Sequence, residues 1–387
     1  MSHVRAILAL TFALAGQMGC RPAARAAEPA HVLNASPALP QPASAEGLAQ
    51  TRGEPFDEGA GGAFVALRVA KASSSAELRS SSRVILVTFD GVRWQDLFDA
   101  AGSLVPQADQ PAFPFLRSIE KRGALFGDPA QNSSVEVGSA APVSLPSYQA
   151  LALGRATSCA DNDCPQIAEE TVFESVARQL ALPKPQVAVF ASWQPIARAA
   201  ARDATAIHID AGLGAGEAPP PWEEARYDRS TVDMALAALE RDHPRLLWIS
   251  FDDTDEWAHK GEAAATIQAL RAADAFLAAL FHTIERLPAD VRDHTTVIVT
   301  TDHGRGAGPL WTTHSRLPEA KRMWLYAQGP YTAPVGNAVS ARGPLTLRDV
   351  RPTIELLFGL CPTTCTGCGS PIPEVVAGVS APTCPKP

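Results

Sequence analysis

Five short runs of uninterrupted apolar residues, at 84–89, 187–190, 246–251, 297–300 and 323–326, limit what this chain can fold into more than any other feature. Each is bounded by polar or turn residues and lacks the in–out alternation of a half-exposed strand. A strand without alternation is buried on both faces, as in a mostly parallel sheet covered by helices. Stretches with a helical apolar period lie between the runs, at 171–180, 230–239, 263–286 and 347–358. The alternation predicts an α/β fold, a single large domain with a mainly parallel central sheet and helices on both faces. Ligands of such sheets bind beyond the carboxyl ends of the strands, so the residues after each run carry the functional information.

The run at 84–89 leads into Asp90-Gly91, and 246–251 leads into Asp252-Asp253-Thr254-Asp255-Glu256-Trp257-Ala258-His259. The run at 297–300 leads into Thr301-Asp302-His303-Gly304, with His314 following. Taken singly, an Asp after a strand serves as a helix cap and an Asp-His-Gly as a turn. Three strand ends that deliver carboxylates and imidazoles to one sheet edge are more informative. Oxygen and nitrogen donors without thiolates suit Zn²⁺, with Mn²⁺ as the alternative. Asp255 and His259, four apart, share a helical face and can grip one ion; Asp252 and Asp253 are assigned capping or supporting roles. Between the first two runs lies Ala141-Pro142-Val143-Ser144-Leu145-Pro146-Ser147-Tyr148. A hydroxyl at a helix start is placed to attack an electrophile held at the helix's positive end, and the competing role for Ser144 is an N-cap. Trp94, Tyr148 and Trp193 are candidates for the wall of an aromatic pocket, against the commoner role in a core.

Apolar residues make up 46% of the chain and charged residues 19%, a globular balance. A net charge of −8 provides no basic footprint, which excludes a nucleic-acid-binding surface. Attraction for an anionic substrate must then come from a local site such as metal ions. At the N-terminus, His3 and Arg5 precede an apolar run at 6–16, too short to span a bilayer and of the kind found in export signals. Two processing readings stand: cleavage before Cys20 after a lipoprotein signal 1–19, with a lipid anchor on Cys20, or cleavage after a signal 1–26. Either one predicts an exported, periplasmic or cell-surface protein without a transmembrane bundle. Residues 27–82, rich in Ala, Pro, Ser and Gly, read as a low-complexity linker, with a short ordered piece at 63–69. A metal-dependent hydrolase domain at 83–360 and a Cys-rich tail at 361–387 follow. Six of the seven cysteines remain once Cys20 is set aside. In an exported chain these predict disulfides, Cys159 with Cys164 and the C-terminal four among themselves in open connectivity. The alternative is a zinc knot on Cys361, Cys365 and Cys368.

Together these residues resemble the alkaline phosphatase superfamily, within it the nucleotide pyrophosphatase/phosphodiesterase-like branch and related bacterial members. Phe89-Asp90-Gly91-Val92-Arg93 resembles that branch's first metal motif and Ser144-Leu145-Pro146-Ser147 its nucleophile segment. Asp255-x-x-x-His259-x-Gly261, Thr301-Asp302-His303-Gly304 and His314 complete the ligand series in the family's chain order, and Asp349-Val350-Arg351-Pro352-Thr353 resembles its last helix. The resemblance implies one ion on Asp255, His259 and His314 and a second on Asp90, Asp302 and His303, with Ser144 alongside. It implies hydrolysis of a small-molecule phosphate mono- or diester through a phosphorylated Ser144, at two divalent ions about 4 Å apart. Asn162, between Cys159 and Cys164, falls near the place of an Asn that binds the phosphoryl group in that branch. Ser147 stands where the phosphodiesterases have Asn, which leaves the substrate preference open. Ser144-x-Pro146-Ser147 also resembles a sulfatase motif, yet Tyr148 stands where sulfatases carry Arg, and Asp90-Gly91 where they tend to have paired acids. A phosphomutase would need a large insertion between Asp90 and Asp255 that this chain lacks. A phosphoethanolamine transferase would need a membrane bundle. A metal-binding module without activity is the alternative outside the enzymes.

Overall fold

A computed structural model describes residues 74–98, 102–104 and 111–384. Among these, the strands are β1 (Arg83–Phe89), β2 (Ala124–Phe126), β3 (Val135–Glu136), β4 (Val187–Ala191), β5 (His208–Ala211), β6 (Leu246–Phe251), β7 (Thr295–Thr301), β8 (Arg322–Met323), β9 (Leu325–Gln328), β10 (Gly336–Asn337) and β11 (Leu345–Thr346). The principal helices are α1 (Ser75–Ser81), α2 (Pro114–Ile119), α3 (Ser144–Leu153), α4 (Val172–Gln179), α5 (Ile196–Ala200), α6 (Asp228–Asp242), α7 (Asp253–His259), α8 (Ala263–Arg286) and α9 (Val350–Leu357).

Eight strands form one mixed sheet in the order β10-β2-β9-β7-β1-β6-β4-β5, and β11-β3-β8 form a small second sheet. β1 pairs in parallel with both β6 and β7, β6 with β4, and β4 with β5. The absence of alternation in β1 has a direct cause. Val84 and Leu86 pack with α3, α4, α5 and α9 on one face, while Ile85, Val87 and Phe89 pack with α2, α6 and α8 on the other. The expected α/β architecture with helices on both faces is the one observed.

The run at 323–326 divides. Met323 pairs with β3 in the small sheet, whereas Leu325 onwards forms β9, antiparallel to both β7 and β2. Gly127 allows the close approach at this break: a Cβ there would lie 2.4 Å from the Met323 carbonyl oxygen. The folded chain also begins earlier than the expected boundary at 83. Ser74 caps α1 by accepting from the Glu77 N–H at 3.2 Å, and Leu78 is fully buried. Arg245 donates to the carbonyls of Arg79, Ser80 and Ser82 and so satisfies the helix's C-terminal end. The remainder of the expected linker, its piece at 63–69, the signal segment and Cys20 lie outside the described residues.

The cysteines pair as Cys159–Cys164, Cys361–Cys384 and Cys365–Cys368, which replaces the zinc-knot alternative. The C-terminal segment is part of the domain, since Ile372 and Val375 are wholly buried in the core beneath α9. A single described helix, α8, is long and apolar enough to cross a bilayer. Here its Leu270, Leu277 and Leu280 are buried against the sheet.

Candidate active site

Ser144 opens α3, preceded by the extended Val143. Its side chain makes no cap, contrary to the N-cap alternative. Its hydroxyl donates to Asp90 Oδ1 at 3.3 Å and lies 3.2 Å from His303 Nε2. Asp90 leaves β1 and turns at once through Gly91, at φ +65°, whose N–H donates to Asp302 Oδ1 at 3.0 Å. A Cβ on Gly91 would lie 2.2 Å from Asp255 Oδ1, so the turn brings the chain against a carboxylate with no room for a side chain.

The imidazoles are oriented from behind. His303 Nδ1 lies 2.9 Å from the Gly304 carbonyl and His314 Nδ1 lies 2.7 Å from the Pro142 carbonyl. A carbonyl only accepts, so each Nδ1 carries the proton and each Nε2 turns a lone pair into the cleft. His303 and His314 stack with centroids 3.9 Å apart, and His259 Nε2 lies 3.0 Å from both His314 Nε2 and Asp255 Oδ2. Burial lowers the pKa of His303 and His314, which keeps both neutral and able to ligate.

Two groups of donor atoms result, each with its atoms within 4.8 Å of one another: Asp255, His259 and His314, and Asp90, Asp255 and His303. Asp255 belongs to both. Asp302 adjoins the second group, with Oδ2 3.3 Å from His303 Nε2. That oxygen is buried and has no hydrogen-bond partner. Buried unpaired carboxylates are costly unless a cation faces them. Burial first, then Asp302, Asp255 and Asp252, push the Asp90 carboxyl well above its usual range, while the Tyr148 hydroxyl opposes the shift. Burial and Asp255 push Asp302 up to about 8. This concentration of oxygen and nitrogen donors fits divalent cations.

Three contributors escaped the sequence reading. Arg305, 2% exposed, donates to the Asp255 carbonyl at 2.9 Å and to its Oδ1. Burial raises the Asp255 pKa, but Arg305 and His259 outweigh it and hold the group well below the usual range. The only available signal was an Arg directly after Asp302-His303-Gly304. Asp228, at the start of α6, accepts from the N–H groups of Asp252 and Asp253 at 2.9 and 3.2 Å, and Asp253 Oδ1 accepts from the Asp228 N–H at 3.2 Å. This reciprocal clamp fixes the start of α7, where Asp252 is the N-cap residue. Thr254 donates to the Asp90 carbonyl at 2.5 Å. Asn162 is brought beside the helix start, but through its oxygen, which accepts from the Leu145 N–H at 2.9 Å. Tyr148 is wholly buried and bonded to Asp90, so it is no pocket wall; Trp94 and Trp193 are partly buried against the two cores.

Residues 223–354 match the family model described as Metalloenzyme superfamily. A 2,3-bisphosphoglycerate-independent phosphoglycerate mutase of Gloeobacter violaceus is 30% identical over 138 residues, 34% of this chain. The match spans about a quarter of that protein's length, 24%. A putative sulfatase of Bacteroides thetaiotaomicron superposes with a TM-score of 0.59 at 14% identity, covering 78% of this chain and 75% of its own. A protein of the alkaline phosphatase superfamily from Vibrio parahaemolyticus gives 0.51 at 13% identity, covering 72% and 67%. Murine ectonucleotide pyrophosphatase/phosphodiesterase 5, solved in complex with AMP, gives 0.51 at 14% identity, covering 74% and 97%. The segment matched by the family model carries Asp255, His259, Asp302, His303 and His314, and the sheet that presents them has the fold of these solved structures.

Proposed function

We propose that the protein is an exported two-metal phosphoesterase whose Ser144 attacks the phosphorus of a small phosphate mono- or diester. The observation that carries this reading is the Ser144 hydroxyl at a helix start, 3.3 Å from Asp90 Oδ1 and 3.2 Å from His303 Nε2, beside two groups of metal-ligand donors. Asp255, His259 and His314 would hold one ion and Asp90, Asp302 and His303 the other, with Zn²⁺ favoured over Mn²⁺ by the imidazole content. Such ions supply Lewis acidity, offsetting phosphoryl charge and easing loss of the Ser144 proton.

The chain's own groups do the rest. Asp90 Oδ1 accepts the hydrogen bond that aims the Ser144 oxygen, which lies 3.2 Å from His303 Nε2. At the start of α3 the Leu145 N–H is taken by Asn162, Pro146 has none and the Ser147 N–H bonds the Val143 carbonyl. The helix therefore offers an anionic substrate the Ser144 N–H and the positive end of its dipole. Asn162 fixes Leu145 through its oxygen, which leaves the –NH₂ of the same planar amide as a donor for the substrate. Attack forms the Ser144 oxygen–phosphorus bond and expels the alcohol; water then cleaves the phosphoserine and frees the phosphate. The nucleotide pyrophosphatase/phosphodiesterase-like branch is the favoured comparison, and three disulfides support an oxidising, periplasmic or cell-surface location, lipid-anchored on the Cys20 reading.

The test is turnover by the zinc-loaded protein of a chromogenic phosphate monoester, a phosphate diester and a sulfate ester, with Ser144→Ala alongside. Cleavage of either phosphate ester, abolished in Ser144→Ala with metal content kept, supports the reading. Turnover of the sulfate ester alone would move the protein to the sulfatases. Binding of metal with no turnover of any ester would leave a binding module.

A further inference from the structure

The two oxygens of Asp90 have different company. Oδ1 receives the Ser144 hydroxyl and lies 3.4 Å from His303 Nε2, whereas Oδ2 receives the Tyr148 hydroxyl at 3.1 Å. Ser144 and Tyr148 are four apart on α3, so one helix face presents both hydroxyls to one carboxylate. Tyr148 is not reached by solvent, and a chain of buried polar side chains on β1 and β6 stands behind it. Trp248 Nε1 donates to Thr88 Oγ1 at 3.0 Å, and the Thr88 hydroxyl donates to Ser250 Oγ at 2.9 Å. The Ser250 hydroxyl in turn faces the Tyr148 oxygen.

The sense of this chain is dictated at its ends. An indole N–H only donates and an ionised carboxylate only accepts. Each hydroxyl that accepts from its predecessor has its single proton left for its successor, so the Tyr148 proton is directed at Asp90. The rings are fixed as well: Tyr148 packs on Trp248 with centroids 5.7 Å apart, and Phe173 stacks on Trp248 at 5.1 Å. Nothing in the catalytic reading uses these groups, and an apolar core would have no reason to hold four of them in line.

We propose that Tyr148 is a positioning residue of the metal centre: its hydroxyl pins Asp90 Oδ2 so that Oδ1 alone faces the ion shared with His303, and Trp248, Thr88 and Ser250 set its donor sense. The inference rests on the two-metal reading. Phenylalanine at 148 would fill the same space without donating, leaving Oδ2 buried and unpaired and the carboxylate free to rotate.

The experiment is competition of the full chain against a chromophoric chelator for Zn²⁺, with wild type, Tyr148→Phe, Thr88→Val and Thr88→Ser compared. Wild type is expected to bind two ions. Tyr148→Phe should bind one as tightly as wild type and the other roughly 10- to 100-fold more weakly, the usual cost of losing a hydrogen bond behind a ligand. Thr88→Val should weaken the same ion by less, and Thr88→Ser, which keeps the hydroxyl, should restore it. Should Tyr148→Phe fail to fold, the Thr88 pair carries the test alone. Wild-type affinity for both ions in Tyr148→Phe, or equal weakening by Thr88→Val and Thr88→Ser, overturns the proposal and leaves the two-metal reading standing. A wild type that takes up no Zn²⁺ overturns both.

Discussion

A methyl group at Gly91 would have to occupy space already held by the Asp255 carboxylate, at a φ of +65° that L side chains rarely adopt. Gly91→Ala is expected to cost about 1–2 kcal/mol for the backbone alone and to displace Asp255, the carboxylate common to both donor groups. Thermal melting and metal stoichiometry check it: unchanged stoichiometry would show that Asp255 tolerates the shift. Arg305 is the second residue on which Asp255 depends. In metal-free protein, Arg305→Met leaves a buried carboxylate without its cation and should cost about 3–5 kcal/mol. Added Zn²⁺ should narrow the gap to wild type, and a gap that Zn²⁺ leaves unchanged would mean that Arg305 serves the fold rather than the charge of the centre. Asp90, Asp255, His259, Asp302, His303 and His314 were legible in the sequence because each follows an apolar run or a recognisable spacing. Arg305 and Asp228 were not, because a single charged residue shows in sequence neither its burial nor which carboxylate it faces.

At the scale of elements, α3 is held at its start and at its middle by the segment around the Cys159–Cys164 disulfide. Asn162 accepts from the Leu145 N–H at one end, while farther along Gln149 receives Thr157 through its oxygen and donates to the Pro165 carbonyl. Asn162→Ala should destabilise the fold by about 1 kcal/mol, the usual cost of a lost helix-start acceptor, and lower turnover more than substrate affinity. Urea unfolding and a comparison of kcat with KM decide it; an effect on stability alone would make Asn162 a cap and nothing more. The strands buried on both faces announced themselves through continuous apolar runs, and α8 through its long period. β9 did not reveal its reversed direction, since antiparallel pairing with β7 and β2 depends on a break at Trp324 that no local pattern marks. α1 went unread for a related reason: of its seven residues only Leu78 is buried, and one apolar position makes no period.

For the molecule as a whole, the cluster of buried acids sets how stability depends on pH. Burial raises Asp228 to about 6, and burial with Asp255 raises Asp302 to about 8. A carboxyl whose folded pKa is raised takes up its proton more readily in the native state. Its contribution is therefore complete below about pH 4 and is lost as the pH rises through the folded value. The Asp228 and Asp302 contributions should fall between about pH 4 and 8, the Asp228 part on the order of 3 kcal/mol. His303 and His314, lowered by burial, contribute with the opposite sign up to about pH 6.5, so the net loss in metal-free protein is expected above that pH. Divalent metal should oppose the loss above pH 6, where protons no longer compete for the ligands. Melting temperatures across this range, with and without Zn²⁺, test the sign; metal-free protein that grew more stable towards pH 8 would refute it. α1 and the metal-ligand donors stand at the two ends of β1. α1 hands the chain to the start of β1, and Asp90 follows the end of β1, so the point of entry and the cleft lie at opposite edges of the sheet. The seven residues of β1 separate them by roughly 20 Å. A substitution in α1 can therefore reach the metal-ligand donors only through the length of β1.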